Sequence, residues 1–151
     1  MSVEILPMQS TDLEEVKALE DKLFPVDAWT LDMFREELDQ VGISREVMVA
    51  RIDSRIVGYV SFRYVGSEGD VNTIAVDTSV QKQGVGTAMM DWLEETATRR
   101  DVRNLFLEVR SDNIPAVAMY LARDFERIDL RRDYYEQGVD AYVMRKRLTR
   151  G

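Results

Sequence analysis

No cysteine and no histidine occur in the 151 residues. Each absence removes a mechanism. Without cysteine there is no disulfide framework, no Cys–zinc site and no thiol nucleophile. Without histidine a Ser-His-Asp triad is impossible. Any general base must be a carboxylate, a lysine, a tyrosine, or a water held by one of them. Long apolar runs are missing as well: none approaches the roughly 18–20 residues that span a bilayer, so no membrane partner is expected. The opening MSVEILPMQS has no basic n-region and no long apolar h-region, so no secretory signal is read and a cytoplasmic location is expected. Positive charge is in deficit. The net charge of −8 argues against direct nucleic-acid binding and suits a cationic partner, such as an amine or a basic peptide. The same acidity would serve solubility alone.

What is present fits a soluble globular chain. Hydrophobic residues make up 45% and charged residues 32%. The length suggests a single domain over residues 1–151 with room for a core. No linker, repeat or low-complexity block interrupts it. Residues 3–7 read as a short strand ended by Pro7. Thr11 or Asp12 can cap a helix through Leu23, with Leu13, Val16, Leu19, Glu20 and Leu23 at helical spacing. Phe24-Pro25 breaks it. Thr30 caps a second helix to Leu38, with Leu31, Phe34 and Leu38 on one face.

Strands follow. Residues 46–52 and 56–65 flank the turn-like Asp53-Ser54-Arg55 and predict a hairpin; after a second turn at 66–70, residues 71–76 return. Three strands on short turns imply an antiparallel meander. Residues 87–99 read as a helix with Ala88, Met89, Trp92, Leu93 and Thr96 inward. Residues 103–109 read as a strand and 113–123 as a helix, with Pro115 tolerated in its first turn. Residues 125–130 and 141–148 are the last two predicted strands, separated by a polar segment at 131–138. Strand, helix and strand after an antiparallel hairpin give a mixed sheet in an α/β layer fold.

The stretch VNTIAVDTSVQKQGVGTAMM, residues 71–90, places two glycines between a strand and a helix. No G-x-x-x-x-G-K-[ST] is present, so a nucleotide P-loop is excluded. A dinucleotide fingerprint is a poor fit, because Met89 stands at the third glycine and the motif follows a meander. Glu108 does lie where a ribose-binding acid would sit. Two readings stay open: a tight turn with close helix–sheet approach, or an anion cradle. In the second, backbone N–H groups and the helix dipole receive a phosphate without any lysine.

The chain resembles the GNAT-fold N-acetyltransferases. Their acetyl-CoA motif, [Q/R]-x-x-G-x-[G/A] after a strand, is matched by Gln81-Lys82-Gln83-Gly84-Val85-Gly86. Over residues 3–148 the likeness is greatest to the RimI-type ribosomal-protein-alanine N-acetyltransferases. It is carried by IAVDTSVQKQGVGTAM, LEVRSDNIPAVAMY and RRDYY, followed by Asp140-Ala141. The resemblance implies the GNAT fold, a mixed central sheet of about seven strands with flanking helices. It implies acetyl-CoA as co-substrate, held by the backbone of Ile74, Ala75 and Val76, by Gln81, Lys82, Gln83, Gly84, Val85, Gly86 and Thr87, and by Asn113. No metal site is expected. By the same likeness, the strand at 71–76 splays from the strand at 103–109 and leaves a wedge for the cofactor.

Acetyl transfer to an amine needs a base for the ammonium, a polarised thioester carbonyl and an acid for the departing thiolate. With no cysteine, direct transfer in a ternary complex is expected. Glu108, on the opposite strand face from Leu107 and Val109, matches the Glu of the L-E-V-R pattern and is the implied base. Facing a cleft, partial desolvation would raise its pKa; a strand-end carboxylate paired with Arg110 is the alternative. Tyr120 matches the Tyr of N-x-x-A-x-x-x-Y and is the implied acid, unless it only packs its ring. Asn113 can cap the helix that carries it. Val76 N–H is a candidate oxyanion donor. Acceptor recognition falls to residues 24–29 and 131–137, with Asp27, Trp29, Tyr134, Tyr135 and Glu136 as candidates for a basic peptide or protein N-terminus. An ordinary surface loop with an aromatic anchor is the alternative.

Two departures stand out. Where relatives carry Leu-Gly-Phe after the helical Tyr, this chain has Asp124 before Phe125, a residue able to take φ > 0. Val26-Asp27-Ala28 separates Pro25 from Trp29. The expected activity is acetylation of a protein N-terminal α-amine, notably the N-terminal alanine of a small-subunit ribosomal protein. Lysine or polyamine acetylation and a non-catalytic CoA-binding module are the alternatives. Nothing in the sequence sets an oligomeric state.

Overall fold

A computed structural model describes residues 2–80 and 82–148. One seven-stranded sheet runs through them. Strand β1 (Glu4–Pro7) precedes helix α1 (Leu13–Leu23) and helix α2 (Leu31–Asp39). Strands β2 (Arg45–Ile52), β3 (Arg55–Val65) and β4 (Glu68–Val76) then form the expected antiparallel meander. The β2–β3 turn holds Asp53 and Ser54 at φ 51° and 70°, the positive values that a two-residue hairpin turn requires. Helix α3 (Val85–Arg99) crosses over to β5 (Asn104–Arg110), which pairs in parallel with β4. Helix α4 (Ile114–Ala122), β6 (Glu126–Glu136) and β7 (Val139–Arg147) complete the order β1-β2-β3-β4-β5-β7-β6. The one parallel pair is the one with a helical crossover, as chain geometry demands. The GNAT-type mixed α/β sheet is what the sequence led us to expect.

Caps fix two helices as predicted. Thr30 Oγ1 accepts the Met33 N–H at 3.2 Å, and Asn113 Oδ1 accepts the Ala116 N–H at 3.2 Å. Asp12 does otherwise. Its carboxylate takes the Gln9 N–H and Arg51 rather than capping α1. Helix α3 starts two residues earlier than periodicity suggested, at Val85, because the glycine turn runs directly into it. Asp124 takes φ 71° where relatives have glycine, so the turn after α4 is kept.

The largest correction is β6. Its polar second half, expected as a connecting segment, remains strand to Glu136 and turns through Gly138 at φ 85° into β7. Polar sequence is tolerated there because β6 is the sheet edge and its outer surface meets water. The register shifts between Arg131 and Glu136, where Asp133 takes φ 53° and its carboxylate accepts the Gly138 N–H at 2.7 Å. Tyr134 and Tyr135 lie within that irregular stretch. The core lies on both sheet faces. Phe34, Tyr59 and Val16 pack under α1 and α2; Met89, Met90 and Leu93 of α3 pack on the other side.

Candidate active site

Strands β4 and β5 share only three parallel partners, Glu68–Asn104, Gly69–Leu105 and Asp70–Phe106. Beyond them residues 71–76 pair only with β3, and residues 107–110 only with β7. The two strands part, and each leaves backbone groups facing a wedge. The parting coincides with a bulge. Ser61 and Phe62 of β3 oppose Thr73 and Val71, so Asn72 is the extra residue. Its Nδ2 donates to Glu37 Oε1 at 2.8 Å. The same carboxylate takes Ser61 Oγ at 2.6 Å and Arg45 Nε at 2.8 Å, so α2 holds the bulge in place. Deeper along β4, a Cβ on Gly58 would stand 2.8 Å from the Ala75 carbonyl oxygen. Glycine therefore lets β3 and β4 close up next to the wedge.

At the end of β4 the chain turns through Thr78–Val80 into α3. Buried Asp77 anchors this turn: its Oδ1 accepts the Ser79 N–H at 3.0 Å and Lys22 Nζ at 2.9 Å. The Ser79 hydrogen bond chiefly holds its carboxyl below the usual range. Lys82 then takes φ 68° and Gly84 φ 85°, with nothing within 4 Å of a Cβ built on Gly84. The first amides of α3, at Val85, Gly86 and Thr87, have no partner inside the helix. They point out over bare glycine with the positive end of the helix dipole behind them. Gly86 needs no special backbone. A Cβ there would meet Met119 Sδ at 3.4 Å and Val76 Cγ2 at 3.8 Å, ordinary contacts. The donors and the bare surface together fit a pyrophosphate. Val85 is buried, so only its N–H is available, while Lys82, Gln83 and Thr87 are exposed. Gln81 lies outside the described residues.

Glu108 obeys the strand alternation. Leu107 and Val109 are buried, and the Glu108 side chain is 30% exposed. Its partner is Arg131 of β6, with Nη1 3.2 Å from Oε1. Arg110, the partner considered from sequence, goes elsewhere. It bonds Asp112 at 3.1 and 3.2 Å, approaches Asp27 at 3.9 Å and lies 5.3 Å over the Tyr135 ring. Instead of a simply desolvated carboxylate, the site holds an ion-paired and part-exposed one. Hydrogen bonding to Glu108, then burial, raises the Tyr134 phenol. Tyr134 meets Tyr135 edge-on at 5.1 Å. Burial, followed by the nearby charges of Glu108, Tyr134 and Asp27, pushes Tyr135 up to about 12.

Tyr120 is 4% exposed and its ring lies 5.7 Å from Phe125. Burial pushes its phenol well above the usual range, with Tyr135 adding to the shift. A phenol in that setting keeps its proton at neutral pH. Tyr120, Tyr135, Tyr134, Glu108 and Asp27 thus form one electrostatic neighbourhood at the β5 side of the wedge. Asn113 heads α4, exposed, with its side chain engaged as a cap. Trp29 is placed differently from the other acceptor candidates. Its ring packs on Phe34 at 5.2 Å and its N–H bonds Glu20, so it anchors the loop rather than facing the tyrosines. The Glu136 backbone closes the β6–β7 hairpin, and its side chain lies outside the described residues. Reading by residue type missed Arg131 and the Glu20–Tyr59 pair. The signal for Glu20 was a carboxylate on the apolar stripe of α1. Arg131 carried none, because its partner lies on β5, across the intervening strand β7.

Comparison with known proteins agrees with this geometry. The family model described as the Acetyltransferase (GNAT) family matches residues 13–125. The chain is 35% identical over 95% of its length to N-alpha-acetyltransferase RimI of Mycobacterium tuberculosis, covering 92% of that protein. It is 28% identical over 91% of its length to a putative [ribosomal protein bS18]-alanine N-acetyltransferase of Bacillus subtilis, covering 90% of it. Among solved structures, the ribosomal-protein-S18-alanine N-acetyltransferase from Escherichia coli superposes with a TM-score of 0.87 at 26% identity. That alignment covers 98% of this chain and 95% of the other.

Proposed function

The chain belongs to the GNAT acetyltransferase family, and from that premise we propose that it transfers acetyl from acetyl-CoA to a protein N-terminal α-amine. The acceptor is the N-terminal alanine of a small-subunit ribosomal protein. Relatives whose names specify ribosomal protein S18 alanine support that choice. Such an acceptor places the enzyme in the cytoplasm. The observation that carries the reading is a single track. Parted β4 and β5 edges run from a bare helix-terminal cradle to a cluster of Glu108 with three tyrosines.

Each part of the track has a task. The amides of Lys82 and residues 84–87 hold the pyrophosphate, with the Gln83 N–H turned to the Val80 carbonyl, and bare Gly84 lets the ligand approach the backbone. The free edge of Ile74, Ala75 and Val76 bonds the pantetheine arm. When bound, acetyl-CoA supplies the activated acyl group. Glu108 accepts a proton from the acceptor ammonium, directly or through one water. The freed amine forms the new N–C bond as the C–S bond breaks, and the nitrogen sheds its second proton, which replaces the one Tyr120 gives up. Val76 N–H receives the negative charge developing on the carbonyl oxygen. Tyr120, whose buried phenol is protonated at neutral pH, donates its proton to the thiolate. Asp27, Tyr134 and Tyr135 border the amine. Arg131 must yield Glu108 to the incoming ammonium, so the ion pair marks where the cation sits.

Incubation with acetyl-CoA and three acceptors tests this: an Ala-first basic peptide, a blocked peptide with an internal lysine, and spermidine. Thiol release with the first, and mass placed on its α-amine, is the expected result. Transfer only to lysine or spermidine would replace the acceptor. No thiol release with any acceptor would leave a CoA-binding module.

A further inference from the structure

Helix α1 carries a carboxylate where its face is otherwise apolar. Leu13, Val16 and Leu19 are buried, and Glu20 stands beside them with 2% of its surface exposed. A buried carboxylate is costly unless donors meet it. Two do. Glu20 Oε2 accepts the backbone N–H of Trp29 at 3.0 Å, and Oε1 accepts the Tyr59 hydroxyl of β3. Trp29 belongs to the segment between α1 and α2, which has no strand ladder to hold it. Its ring lies on Phe34 at 5.2 Å, and Phe34 meets Tyr59 edge-on at 5.7 Å. Carboxylate, phenol and two rings therefore close a ring of contacts behind this loop. At its front, Asp27 stands 3.9 Å from Arg110, which lies over Tyr135.

A leucine at position 20 would satisfy the apolar face about as well. It would leave the Trp29 N–H and the Tyr59 O–H unpaired. A hydrogen-bond acceptor here is therefore called for by two donors, the Tyr59 hydroxyl in the core and the Trp29 N–H of the loop. We propose that Glu20 is a positioning residue for the acceptor. By holding Trp29 N–H against β3, it sets where Asp27 stands across from Tyr135 and so fixes the width of the groove for the incoming N-terminus. This rests on the reading of residues 24–29 as the border of the acceptor groove. Glu20 touches no reacting atom. Its effect is expected on acceptor binding, because its own hydrogen bonds go to Trp29 and Tyr59, while the cradle turn is held separately by Lys22 and Asp77.

The test compares wild type, Glu20→Leu and Glu20→Gln. The first readout is amide hydrogen exchange at Trp29, followed by NMR. In Glu20→Leu it accelerates about 100-fold or more, while β3 amides exchange as in wild type. The second is steady-state kinetics with an Ala-first peptide: its KM rises at least about tenfold, and KM for acetyl-CoA stays within about twofold. Glu20→Gln keeps an oxygen for the Trp29 N–H and restores most of both. Wild-type exchange at Trp29 in Glu20→Leu overturns the proposal, as does an equal rise in both KM values. The acceptor reading fails separately. Wild-type enzyme that modifies no α-amine would remove the acceptor role assigned to the loop, whereas the Trp29 exchange alone reports whether Glu20 holds it.

Discussion

The two cradle glycines make opposite demands, and substituting each by alanine separates folding from ligand approach. Gly84 sits at φ 85° with open space around a Cβ. Alanine there meets no clash but must adopt the left-handed region, at about 1–2 kcal/mol. For a chain of this length that lowers Tm by roughly 2–8 °C. Gly86 has helical backbone, and its Cβ would meet Met119 and Val76 at ordinary distances. Alanine there costs nothing sterically and gains about 0.5–1 kcal/mol of backbone entropy, so Tm holds or rises by a few degrees. Only the Gly84 methyl group would project into the open space where the backbone must come close to a phosphate; that of residue 86 faces Met119 and Val76. Gly84→Ala should therefore weaken acetyl-CoA by about tenfold, or about 1.4 kcal/mol, while Gly86→Ala, which the motif admits, binds it within about twofold of wild type. Calorimetric titration with CoA, alongside thermal melts, reads both quantities. Unchanged CoA affinity in Gly84→Ala would refute the cradle, because the bare surface at residue 84 would then serve only the turn.

Three further outcomes follow from the site. Glu108→Gln lowers kcat by about 10²–10⁴-fold with acetyl-CoA binding intact; near-normal turnover at neutral pH would remove Glu108 from the base role. Tyr120→Phe lowers kcat without changing either KM much, and in wild type the raised phenol puts the alkaline fall of kcat above the ordinary tyrosine range of about 10; a fall already complete by pH 9 would count against Tyr120 as the acid. Burial raises the Glu20 carboxyl, so ionising it costs more in the folded protein than in the unfolded chain. Its contribution is most favourable below its ordinary pKa and is lost as pH rises through the folded value. The Tm of wild type minus that of Glu20→Gln should thus be larger at pH 4 than at pH 7, and a difference flat with pH would contradict the assignment.

Most of the scaffold was legible because local chemistry and packing agree. Thr30 and Asn113 announce helix starts with side chains that do cap them. Asp53-Ser54 announces a tight turn, and the β-branched runs on either side lie in the sheet interior. Asp124 was readable as a stand-in for glycine, since Asp tolerates the left-handed region. The second half of β6 was not legible. Its residues are polar, and only pairing with β7 makes them strand. The same long-range pairing hid Arg131, which reaches Glu108 across the intervening strand β7. The bulge at Asn72 was likewise silent, because its anchor Glu37 lies 35 residues away. Within the site, residue types named the chemistry, and the fold decided which of them meet. Tyr134 and Tyr135 reach Glu108; Trp29 turns to Phe34 instead.

The central claim is that an N-terminal α-amine replaces Arg131 on Glu108 and is acetylated there. The most direct measurement is mass mapping of an Ala-first peptide that also holds an internal lysine, after turnover with acetyl-CoA by wild type and Glu108→Gln. One acetyl group on the α-nitrogen with wild type, and its near-loss in Glu108→Gln with CoA binding retained, is the predicted result. Acetyl on the lysine side chain, or equal rates in the two proteins, would contradict it.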